Sequence, residues 1–191
     1  MKLLLQTGTF ALFLLLSLPG TAQLRLFAAS GDVGEATRKV LQDYPNHFSH
    51  ITGDLIVRNP QSADYACTVK IKDAESNIIS KYTSGSKEMC SWQAVLLSTE
   101  SFSEAKRRFR TVYMQLNGLK VNSSQLKGDY AQPEEAKKFT TVVLSLTPVD
   151  ESTRKLKTEL VMESEGMEWK VRVLVYEKER EDDERGHELE E

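Results

Sequence analysis

An α+β domain, with an antiparallel sheet or pair of sheets and two main helices on one face, is the fold class this chain predicts. Three observations predict it. Segments 33–44 and 102–116 carry apolar residues three and four apart, the spacing of a helix with one face to bury. Six other segments alternate apolar and polar residues, the two-residue period of a strand wet on one side. Helix and strands recur in one order, which predicts an internal duplication of a helix-plus-four-strand unit.

The chain opens with "MKLLLQTGTFALFLLLSLPGTAQ": one lysine, an apolar stretch from Phe10 to Leu18, a Pro19-Gly20 break and small residues before Gln23. That layout predicts a secretory signal peptide over 1–22, cleaved after about Ala22, and a secreted or periplasmic protein. Its apolar run is shorter than the roughly 18 to 20 residues that span hydrocarbon, so no membrane span is expected.

After "LRLFAAS", Val33, Ala36, Val40 and Tyr44 share one helical face, with Ser30 or Asp32 as cap and Pro45 as limit. "DYACTVKI" then alternates Tyr65, Cys67, Val69 and Ile71 with polar or small neighbours, "NIISKYTS" is a weaker strand, and "SWQAVLLS" a strong one. The second helix carries Phe102, Ala105, Phe109, Val112, Tyr113 and Leu116 as a stripe, with Ser101 or Ser103 as cap and Asn117-Gly118 as stop. "NSSQLKGDYAQPEEAKK" reads as the longest loop. Beyond it come the strands "FTTVVLSL", "RKLKTELVM" and "EWKVRVLVYE", the last two joined by the turn "ESEG". Leu156, Thr158, Leu160 and Met162 are expected inward, and Lys155, Lys157, Glu159 and Glu163 outward.

The duplication rests on three ordered matches. Residues 33–44 align with 102–113 at an offset of 69, which brings Glu35 to Glu104, Ala36 to Ala105 and Tyr44 to Tyr113. Cys67, Val69 and Ile71 align with Val142, Leu144 and Leu146 at 75, and "GSKEMCSWQAVLL" with "ESEGMEWKVRVLV" at 77, pairing Trp92 with Trp169. The expected organisation is a signal peptide at 1–22, a first repeat at 23–98, a second at 99–177 packed with the first as one globular domain, and an acidic disordered tail at 178–191. In architecture the unit is similar to the cystatin-type fold, a helix gripped by a curved antiparallel sheet. That resemblance implies loops presented at one sheet end, as in a protease inhibitor. The "QxVxG" loop of the inhibitor cystatins is absent.

Removal of the signal leaves 169 residues, enough for a core that hides roughly 68 to 70% of the unfolded surface. The formal charge of −3 conceals a segment, Glu177 to Glu191, with nine acids and three bases. The remaining body is weakly positive, which gives no ground for nucleic acid as a partner. Two cysteines, Cys67 and Cys90, fall in the exported part, where an even pair predicts a disulfide closing a loop of about 24 residues, worth roughly 3 kcal/mol.

Candidate chemistry is sparse. His47 and His50 are three apart but lack the further ligands that zinc requires, and His187 lies in the acidic tail, so no metal and no cofactor are expected. The chain has no nucleophile elbow, P-loop or dinucleotide fingerprint. Glu35 and Glu104 recur at matching places, where they complement the positive ends of their helices. Trp92 and Trp169 are expected in the core, and Asn122 fits a glycosylation acceptor. "EAKRRFR" gathers Lys106, Arg107, Arg108 and Arg110 as a possible interaction patch that could meet an acidic partner. The reading is therefore a non-enzymatic binding or interaction protein, its partner an unknown protein or small ligand. A protease-inhibitor-like module and a small hydrolase with dispersed carboxylates are the alternatives.

Overall fold

The computed structural model describes residues 32–84 and 87–177, so the expected signal peptide and acidic tail lie outside the described residues. The chain forms helix α1 (Val33–Asp43), strands β1 (Thr52–Arg58), β2 (Ser62–Cys67), β3 (Ser76–Ser84) and β4 (Lys87–Thr99), and helix α2 (Phe102–Leu116). Five strands follow: β5 (Lys120–Val121), β6 (Ser124–Lys127), β7 (Phe139–Thr147), β8 (Leu156–Glu165) and β9 (Glu168–Glu177). All join one antiparallel sheet in the order β1-β2-β3-β4-β9-β8-β7-β6-β5. The first four strands walk inward from one edge. The last five walk inward from the other, so β4 and β9 meet at the centre.

One sheet face supplies the core. Trp92, Ala94 and Leu96 of β4 and Val171, Val173 and Val175 of β9 are all buried, as are Thr158, Leu160 and Met162 of β8. Alternation along these strands explains why: one face of each is apolar, and the helices cover it. Helix α2 buries Ala105, Phe109, Val112 and Leu116, and its backbone approaches β4, β8 and β9. Its first turn is capped by Ser101, whose hydroxyl accepts from Glu104 N at 3.3 Å.

Helix α1 departs from the expectation that each helix lies on its own strands. Its nearest backbone neighbours among the regular elements are α2 and β5. A Cβ added at Gly34 would stand 3.0 Å from the carbonyl oxygen of Gln115, so the small residue sets how closely the two helices approach. Asp32 caps α1 by accepting from Gly34 N at 3.0 Å. After the turn Tyr44–Asn46 the chain reverses through left-handed His47 (φ 51°) and Phe48 (φ 56°), and Phe48 is fully buried. Burial of a large ring offsets a backbone conformation that bulky residues rarely adopt.

Three strand boundaries differ from the sequence reading. β2 ends at Cys67, so Thr68 to Ile71 leave the sheet although Ile71 stays buried. β1 was not foreseen, because Leu55, Ile56 and Val57 form an apolar run without alternation. The stretch expected as the longest loop holds β6, whose Ser124 and Leu126 are buried.

The expected disulfide is not formed. Cys67 and Cys90 are both buried and are not bonded to one another. The register explains this. Ala66 pairs with Ile78 and Asn77 with Ala94, which puts Cys67 level with Ala94, whereas Cys90 pairs with Lys81. Two strands across and four residues along is about 16 Å, far beyond the roughly 7 Å a bridge tolerates.

Candidate functional site: a basic and aromatic groove on the second helix

The stripe that buries Phe109 and Val112 turns the opposite side of α2 outward, and with it Lys106, Arg107 and Arg110. A second segment faces this side. Gly128 leaves β6 against β7, where an added Cβ would overlap the carbonyl of Val143. The Gly128 carbonyl accepts from the Tyr113 hydroxyl at 3.0 Å. So anchored, the chain lays Tyr130 across α2, its ring 4.9 Å from that of Tyr113 and 6.2 Å from that of Phe109. Burial raises the Tyr130 phenol above its ordinary value, against the opposite pull of Arg110.

Between helix and loop lies a groove of about 550 Å³, lined by Lys106, Arg107, Arg110, Tyr130, Gln132 and the 65% exposed Met114, among others. Lys106 Nζ stands 5.6 Å from the centre of the Phe102 ring. Several cations elsewhere are paired, Arg38 with Glu35, Lys137 with Glu134, Arg154 with Glu151 and Lys170 with Glu165. Among the described residues, Lys106, Arg107 and Arg110 have no carboxylate partner. Three unneutralised cations beside a wall of low dielectric make a local positive potential that draws anions. Arg108, expected in the same patch, does not line the groove. At 100° per residue it falls on another side of the helix.

A second groove, of about 670 Å³, lies on the sheet face away from the helices. Tyr82, Met89 and Leu174 supply apolar walls, and Asp64 accepts from the Ser80 hydroxyl at 2.6 Å. Its floor partner Tyr176 already carries Lys157, whose Nζ is 5.5 Å from the ring centre and 3.1 Å from a Glu159 oxygen. The charges around it are thus largely paired.

The remaining candidates fall apart in space. His50 Nδ1 lies 2.6 Å from Oδ1 of Asp43, which also accepts from Asn46, while the other oxygen takes the His50 amide. His47 lies instead beside Arg154 and Lys155, which pair with Glu151 and Glu177. Among the described residues no group of three potential ligands could hold a metal. Glu35 is held below the ordinary carboxylate range by its bond to Arg38, and Glu104 accepts from the Thr99 hydroxyl at 2.8 Å. Asp43 is the one buried carboxylate among the described residues. Trp92 and Trp169 are both buried; Trp92 Nε1 donates to Asn77 Oδ1 at 2.7 Å, and the Trp169 ring packs 5.1 Å from that of Phe102. Asn122 is exposed in the β5–β6 turn, its Oδ1 accepting from Gln42.

Among the described residues no helix is long and apolar enough to cross a membrane. No protein-family model, no curated protein and no solved structure matches this chain.

Sequence reasoning found the cations but missed Tyr130, Met114 and Gln132. The pattern that betrays Tyr130 is "KGDY", a glycine permitting close backbone approach just before an aromatic residue in a polar stretch.

Proposed function

We propose that the chain is an exported, non-enzymatic binding module that takes an acidic polypeptide segment in the groove on α2. The observation that carries the reading is the set Lys106, Arg107 and Arg110, which has no carboxylate partner among the described residues and stands beside Tyr130 and Met114. Guanidinium groups bind carboxylates in paired hydrogen bonds, and Met114 and Tyr130 give apolar side chains of the same segment a surface to cover. Export rests on the signal-like residues 1–22.

The test is fluorescence anisotropy with a labelled hexaglutamate peptide at low and at 0.3 M salt. The R107E/R110E variant is expected to bind about tenfold more weakly than the natural chain, and the difference to shrink with salt. Equal binding by both proteins would remove the proposal.

The duplicated origin of the unit, cystatin-like in outline, belongs to the same proposal. The strand order supports it, since it reads alike from either edge to the central pair. Val95 pairs with Arg172, and these residues are 77 apart, the offset that aligns the two hairpins. The caps Asp32 and Ser101 are 69 apart, the offset of the two helices. Strand β5 has no counterpart in the first half, and two further features depart from a simple two-fold. Helix α1 rests on α2 and β5, and Val69 and Ile71, aligned with Leu144 and Leu146 of β7, lie past the end of β2.

A further inference from the structure

Resting on the reading of the α2 groove as a site for acidic segments, we infer that its resident occupant is the acidic segment 178–191 of the same chain. The charges fit. Residues 178–191 hold eight acids against three bases, and the groove offers three cations with no carboxylate partner among the described residues. The path fits as well. The described chain leaves the sheet at Glu177, and β9 begins at the end where the Trp169 ring meets Phe102 of α2. The groove is one to two helical turns from Phe102, so the route from Glu177 is roughly 30 to 45 Å. Fourteen residues span up to about 48 Å when extended, so Glu191 reaches the groove over this whole range and Glu188 over routes up to about 37 Å. Because the segment belongs to the same chain, its encounter with the groove is intramolecular and independent of protein concentration.

The segment then acts as a stand-in that any outside acidic ligand must displace. A full-length variant with the eight acids of 178–191 changed to amides is expected to bind the hexaglutamate probe about tenfold more tightly than the natural chain at low salt. The gap closes at 0.3 M salt. Adding R107E/R110E to that variant abolishes binding. In the natural chain, a carbodiimide links Lys106 to a carboxylate of 188–191, and in an equal mixture of 14N and 15N protein every such link joins segments of one isotope. Equal probe affinity for the natural and amide chains, with R107E/R110E still abolishing binding, overturns the resident segment and leaves the groove. Binding indifferent to R107E/R110E overturns the groove as well. Links that join the two isotopes put the segment of a second copy in the groove and overturn occupation within one chain.

Discussion

Tyr44 shows how one side chain carries a measurable share of stability. Burial, with Glu177 and Cys90 nearby, lifts its phenol from 10.0 to about 12. The folded chain therefore keeps a proton that the unfolded chain gives up between these values. Its contribution is complete below about pH 10 and is lost as pH rises toward 12, on the order of 2 to 3 kcal/mol. Urea unfolding at pH 9 and pH 11.5 is expected to show this loss in the natural chain and a smaller one in Tyr44→Phe. Identical losses would assign the alkaline instability to other groups. The sequence placed Tyr44 on the buried stripe of the first helical segment, and it is buried at the start of the turn that follows α1. The sequence was silent on the phenol, because that depends on residues from β4 and β9.

At the level of elements, legibility followed alternation. β8 and β9 were readable residue by residue: Leu160 and Met162 inward, Lys157 and Glu159 toward the other face, Val171 and Val173 buried. β1 was not, since Leu55, Ile56 and Val57 are all exposed, and its pairing with β2 shifts register twice. Such irregularity at a sheet edge twists the strand and discourages pairing with another chain. The run nonetheless remains the most apolar exposed edge among the described residues. Ile56→Lys is expected to change unfolding stability by less than about 0.5 kcal/mol while lowering the rate of thermal aggregation. Light scattering during heating checks it, and an unchanged onset would mean that association starts elsewhere. The groove on α2 lay between these extremes. Its cations were visible as "KRRFR", whereas Tyr130 arrives from a segment that reads only as a polar loop.

In the whole molecule the two halves share the central pair β4 and β9, so neither can keep its core without the other. Leu160 of β8 is fully buried in the second half, and Trp92 of β4 reports on the first. In a Trp169→Phe background, Leu160→Ala is expected to lower stability by about 2 to 5 kcal/mol. Trp92 fluorescence and far-ultraviolet circular dichroism should then move to one common midpoint. Separate midpoints would mean that the halves unfold independently. The register of β2, β3 and β4 decides the fate of the cysteines, leaving Cys67 beside Trp92 and Asn77, its thiol raised by burial.

By itself the sequence determined the local periods: which residues of each helix and of the regular strands face the core, to within two residues where each helix is capped, and where charge collects. Those properties depend on neighbours within a few positions, and hydrophobic burial enforces them in any arrangement. Only the tertiary structure decided that the two halves join through β4 and β9, that α1 lies on α2, that Cys67 and Cys90 stay apart, and that Tyr130 closes the groove over Arg110. Each of these is a contact between segments distant in the chain, set by register and packing volume, which leave no mark in local composition.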